Sequence, residues 1–114
     1  MPVYKLDRFE VRPDARLDAE RAMFDYASYV RAELPDTMWT MYRDPHAPTR
    51  FTAIAVSRDA AAEARAVAAP GTATFLAAIE PLLVGAIETS ASELVTSSDL
   101  QRRHRPDAKR ARRR

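Results

Sequence analysis

Two short apolar runs separated by a proline-rich connection constrain this chain more than anything else in it. Met38-Trp39-Thr40-Met41-Tyr42 and Phe51-Thr52-Ala53-Ile54-Ala55-Val56 flank the stretch Arg43-Asp44-Pro45-His46-Ala47-Pro48-Thr49-Arg50. Proline fixes φ and removes an amide donor, and Asp44 can hydrogen-bond its own backbone, so the whole connection is expected to form a turn that ends both strands. The pattern is that of a β-hairpin. Bulky apolar side chains occupy both alternation phases, Met38 and Tyr42 against Trp39 and Met41, then Ile54 and Val56 against Phe51 and Ala53. A sheet with one wet face would carry polar residues in one phase, so this sheet is predicted to be covered on both faces.

The segments around the hairpin supply one of those covers. Val3 to Val11 reads as a first strand stopped by Pro13. From Asp14, the expected N-cap, to about Glu33, the apolar positions Met23, Tyr26, Ala27, Val30 and Leu34 recur at spacings of three and four, and Pro35 ends the run. This is an amphipathic helix. After Val56, Ser57 or Asp59 can cap a short alanine-rich helix through about Val67, broken by Pro70-Gly71. A further helix is predicted from about Thr72, with Phe75, Leu76, Ile79, Leu82 and Leu83 as its stripe and Pro81 near its end. Gly85 then permits a turn into a last strand over Ile87 to Val95. The order βαββαβ predicts an α+β fold of ferredoxin-like type, an antiparallel sheet with helices on one face. An apolar sheet face left bare on the other side calls for a second copy, so a twofold homodimer is expected.

Composition narrows the chemistry. The 114 residues suit one domain, and they include no cysteine, which removes disulfides, thiolate catalysis and iron–sulfur clusters and suits a reducing cytoplasm. No run approaches the roughly 20 apolar residues of a membrane span, so a soluble cytoplasmic protein is expected. The formal charge of +2 hides a split. Eight of the 18 basic residues follow Gln101, opposed only by Asp107, so residues 1–101 carry a net −5 and the last 13 residues +7. We therefore divide the chain into a domain over residues 1–98 and a basic, disordered tail over 99–114. Such a tail can hold a polyanion such as nucleic acid by charge, although it has no aromatic residue to stack a base, and a solvated segment is the simpler reading. His46 falls in the hairpin turn and His104 in the tail, and carboxylates are scattered, so no metal site is expected. Gly71 and Gly85 are the only glycines and lie too far apart for a phosphate-cradling loop.

Several stretches together resemble a known family. Phe24-Asp25-Tyr26-Ala27-Ser28-Tyr29-Val30-Arg31-Ala32-Glu33, Met41-Tyr42-Arg43-Asp44-Pro45 with Arg50-Phe51, then Pro70-Gly71-Thr72-Ala73-Thr74-Phe75 and Pro81-Leu82-Leu83 are similar to the antibiotic biosynthesis monooxygenases over roughly residues 3–96. The resemblance implies a dimeric α+β barrel with a pocket in each subunit between sheet and helices. It also implies oxidation of quinols or phenolic compounds by molecular oxygen with neither metal nor flavin, hence no cofactor. An electron-rich phenol, once deprotonated, can itself pass an electron to oxygen, so such a pocket needs only to bind the ring, favour the anion and exclude water. Family members often carry histidine where Tyr29 and Ala66 stand here, and asparagine and tryptophan where Ala53 and Ser57 stand, so the resemblance assigns no catalytic residue.

For the pocket, four side chains are candidates to bind a substrate. Tyr29 lies at the edge of the first helix's stripe, where its phenol can point into a cavity, and Trp39 can stack a planar ring. Phe75 and Ile79 lie on the stripe that would wall the pocket. The expected partner is a small aromatic or quinol-like substrate and the expected activity a cofactor-independent monooxygenation. The alternatives are a non-catalytic small-molecule-binding protein on the same dimeric fold, or polyanion binding through the tail.

Overall fold

The structure, a computed structural model, describes residues 1–99. Four strands, β1 (Val3–Val11), β2 (Thr37–Asp44), β3 (Ala47–Ser57) and β4 (Leu83–Ser92), pair antiparallel in the order β2-β3-β1-β4. Helix α1 (Arg16–Glu33) joins β1 to β2, and α2 (Ala60–Ala68) and α3 (Pro70–Ile79) join β3 to β4. The expected ferredoxin-like α+β fold is the observed one. Nearly all of the expected basic tail lies outside the described residues.

Residue chemistry sets the element boundaries. Pro13 opens a 3-10 turn over Pro13–Ala15, so α1 begins at Arg16 with Ala15 at its N-cap. Asp14, expected to cap the helix, instead pairs with Arg12 at 3.4 Å. A proline suits the first helical position because its missing N–H has no partner there in any case, which draws the turn one step earlier than the apolar stripe suggests. The same preference starts α3 at Pro70 instead of about Thr72. Asp59 caps α2 by accepting the Ala62 N–H at 2.8 Å.

The hairpin is tighter than the expected turn. Its strands run on to Asp44 and from Ala47, leaving only Pro45 and His46 as the turn, with the Asp44 side chain accepting the His46 N–H at 2.8 Å. Arg43 pairs with Phe51 and Asp44 with Ala47, so the residues between, Pro48 among them, form a bulge on β3. A residue with no amide donor costs least where the ladder is already interrupted. The last strand likewise starts earlier than expected, at Leu83, and ends at Ser92. Gly85, at φ +81°, sits where the pairing of β4 with β1 is irregular between Arg8 and Glu10, an interruption within the strand.

Odd-numbered strand residues face the helices. The core forms at one end of this layer, where Phe9, Val11 and Phe51 meet Ala19 and Met23 of α1 and Ile79 of α3. Phe9 and Phe51 are cross-strand partners and stack at 5.9 Å. Buried positions Ala19, Met23, Tyr26 and Val30 place the inner stripe of α1 at the predicted spacing. Even-numbered residues form the opposite face, with Tyr4, Leu6, Ile54 and Val56 half-buried and Met38 and Tyr42 exposed. No helix among the described residues is long and apolar enough to cross a membrane.

Candidate functional site

At the other end of the same layer the side chains shorten. Along β3 the inward series runs Phe51, Ala53, Ala55, Ser57, so the large aromatic that fills the core gives way to small residues. Opposite them, α2 presents Ala66 and the first turn of α3 presents Thr72. Space is left that the chain does not fill, a cavity of about 240 Å³ between sheet and helices. Its floor is Val3, Lys5 and Asp7 of β1, Thr37 and Trp39 of β2, Ala55 and Ser57 of β3, and Ile87 and Thr89 of β4; its roof is Tyr26, Glu63, Ala66, Val67, Thr72, Phe75 and Leu76.

One wall is aromatic. The Tyr26 and Phe75 rings stack at 4.8 Å and 20°, and Trp39 meets both edge-on, at 4.9 Å from Tyr26 and 5.5 Å from Phe75. Such mutually packed rings are held in place before any ligand arrives, so a planar guest meets a prebuilt surface.

Half of the sixteen lining residues carry a charged or hydroxyl group, and these groups are paired. The Lys5 ammonium lies 3.5 Å from the Glu63 carboxylate, both side chains about one-third exposed, a separation and exposure that make the pair weak and easily parted. Asp7 accepts the Thr89 hydroxyl at 2.6 Å, and the Thr37 and Ser57 hydroxyls are 3.1 Å apart. The Tyr26 hydroxyl is 2.9 Å from that of Thr72, which in turn lies 2.6 Å from the Ala66 carbonyl oxygen. Burial pushes the Tyr26 phenol above its ordinary pKa of 10.0, so Tyr26 stays protonated. Among the described residues no three histidine, cysteine, aspartate or glutamate side chains converge as metal ligands would.

Of the four residues that the sequence offers for substrate binding, the cavity brings together two, Trp39 and Phe75. Tyr29 is not on its wall: the ring lies across Gly71, in a groove between α1 and α3 outside the cavity. Three residues before it on the helix, Tyr26 points inward and takes the position expected of Tyr29. Ile79 is fully buried in the solid core instead. The sequence places Tyr26 on the apolar stripe of the first helix, where it is indeed buried, but gives it, Lys5, Asp7, Glu63 and Thr72 no part in binding. The signal available was the alternation of β1 itself, in which Lys5 and Asp7 share a phase with the buried Phe9 and Val11. Charged residues on the covered face of a strand need a polar destination. Ala66 and Ser57 also line this cavity.

No protein-family model and no curated protein matches the sequence. Solved structures do. The chain is similar to SnoaB, a cofactor-independent oxygenase from Streptomyces nogalater, at 26% identity and a TM-score of 0.74, over 85% of this chain and 96% of that one. It is similar to Rv0793 from Mycobacterium tuberculosis at 17% identity and a TM-score of 0.78, over 86% and 99%. A third structure, of an antibiotic biosynthesis monooxygenase, matches at 15% identity and a TM-score of 0.76, over 82% and 99%. These likenesses bear out the resemblance to the antibiotic biosynthesis monooxygenases, and what they share with this chain is the fold.

Proposed function

We propose that this protein is a cofactor-independent monooxygenase that oxidises a small aromatic or quinol-like compound in the cavity between sheet and helices. The observation that carries this reading is the cavity's composition, a prebuilt wall of Tyr26, Trp39 and Phe75 facing a lysine and two carboxylates. A flat, electron-rich ring stacks on that wall with its hydroxyl toward Lys5, whose charge favours the anion. Asp7 and Glu63 are the groups within the cavity that can take the departing proton.

The reaction balances with oxygen alone. The substrate anion passes one electron to O₂, the ring radical and superoxide join through a new C–O bond, and the resulting hydroperoxide loses water to leave a carbonyl: RH₂ + O₂ gives RO + H₂O. The protein's share is orientation, exclusion of water and stabilisation of negative charge. We also propose a homodimer, with the apolar sheet face of Tyr4, Leu6, Met38, Ile54 and Val56 covered by a second copy.

Oxygen consumption with a panel of naphthols and hydroquinones tests the activity. Turnover should fall at least tenfold in Trp39→Ala and in Lys5→Met, with folding intact by circular dichroism. Stoichiometric ligand binding without oxygen uptake by any compound of the panel would replace the enzyme reading with a non-catalytic binding protein.

A further inference from the structure

Hydrogen-bond direction in the cavity can be read from heavy atoms alone. The Thr72 hydroxyl has one hydrogen, and the Ala66 carbonyl at 2.6 Å can only accept. Thr72 therefore donates to Ala66. Its oxygen is then left to accept, so the Tyr26 O–H, 2.9 Å away, must be the donor of the second bond. Both hydrogens are committed, in the order Tyr26 to Thr72 to Ala66, which ties α1 to α3 and α3 to α2. What Tyr26 has left for a guest is lone pairs.

We propose that Thr72 is a positioning residue that holds Tyr26 as a hydrogen-bond acceptor, so that the aromatic end of the cavity selects a hydroxylated ring and rejects a bare carbonyl. A ligand hydroxyl beside Tyr26, other than one that ionises beside Lys5, donates to the phenol oxygen and is satisfied. A quinone carbonyl there faces another acceptor, and a buried oxygen without a donor is costly. Resting on the cavity being the ligand site proposed above, this deepens that reading: the reduced, hydroxyl-bearing substrate is favoured over its carbonyl product, and product release follows from the same hydrogen bond. The phenol's retention of its proton when buried agrees with this role.

The test is binding, kept separate from turnover. Affinities of 1-naphthol, 1-methoxynaphthalene and 1,4-naphthoquinone are measured anaerobically by calorimetry with the wild-type protein and with Thr72→Val, Thr72→Ser and Tyr26→Phe, each checked for fold by circular dichroism. Wild type should bind naphthol about tenfold more tightly than the ether or the quinone, the scale of one well-made hydrogen bond. Thr72→Val frees the Tyr26 hydrogen, so the naphthol-to-quinone ratio should fall about tenfold. Thr72→Ser keeps a hydroxyl for Ala66 and should restore the wild-type ratio, which a loss of packing alone would not explain. Tyr26→Phe should erase the preference for naphthol over its ether. Equal ratios in Thr72→Val and Thr72→Ser, or no naphthol preference in wild type, overturn the proposal while leaving an oxygenase possible. Selective binding without oxygen uptake upholds it and removes the oxygenase, and no binding of any probe overturns both.

Discussion

Gly71 and Tyr29 should behave as one unit, and substituting the glycine tests it by sign. A β-carbon on Gly71 would fall against Cδ2, Cε2 and Cζ of the Tyr29 ring. The glycine lies in the first turn of α3, where alanine is ordinarily better by at most about 1 kcal/mol. To admit the methyl group the ring must swing off α3, exposing on the order of 100 Å² of apolar surface, about 2.5 kcal/mol at ~25 cal/mol per Å². It also leaves its stacking contact with Tyr26, whose ring centre is 6.3 Å away. Gly71→Ala should thus destabilise the protein by about 1.5 kcal/mol net, a Tm decrease of roughly 6–12 °C for a domain of this size. In a Tyr29→Ala background the obstacle is gone, and the same substitution should stabilise by about 0.5–1 kcal/mol. Urea melts followed by fluorescence of Trp39, the only tryptophan, give all four corners of the cycle. An equal effect of Gly71→Ala in both backgrounds would refute the account of why glycine stands there.

Other expectations follow from the same geometry. Because burial raises the Tyr26 pKa, the unfolded chain releases this proton first; the contribution is intact below pH 10.0 and is lost as pH rises beyond it, so alkaline melts should steepen above that value and Tyr26→Phe should flatten them. Asp59 is shifted the other way, first by the Ala62 N–H bond and then by Arg58 and Arg65 nearby, so its stabilisation holds above 3.8 and fades as pH falls below it. Replacing it with alanine should lower stability at neutral pH and remove that part of the acid dependence, as read by melts from pH 6 to 2. Ile54→Lys, on the open face of the sheet, should convert a sedimenting dimer to a monomer; a wild-type protein that sediments as a stable monomer at micromolar concentration would remove the second copy from the picture.

Much of this fold is legible in the residues. The both-phase apolar hairpin, the three-and-four spacing of Met23, Tyr26 and Val30, and the capping aspartate at 59 each act locally, and each element stands where expected. Boundaries moved where proline acts in two ways: Pro13 and Pro70 initiate helices, and Pro48 is absorbed by a bulge instead of ending a strand. The site was harder. Which of two tyrosines three residues apart on α1 faces the cavity depends on how α3 lies against that helix, and the decisive detail is the missing side chain of Gly71 that gives Tyr29 a resting place outside. The alternation of β1 puts Lys5 and Asp7 on its covered face, but which residues they meet there depends on β1 being central in the sheet, with β3 on one side and β4 on the other.

The ends of the layer between sheet and helices divide the labour. Phe9, Val11, Phe51 and Ile79 fill one end with interlocked bulk, so the free energy of folding is concentrated there. The opposite end is anchored by the stacked rings of Tyr26, Trp39 and Phe75, but the short or half-exposed side chains in the rest of its lining contribute little to that ledger. A lineage built on this plan can drift from one guest molecule to another through changes at positions such as Ala55, Ala66 and Val67 without first surrendering its architecture. Directed evolution aimed at those three positions should therefore recover folded variants at a high rate.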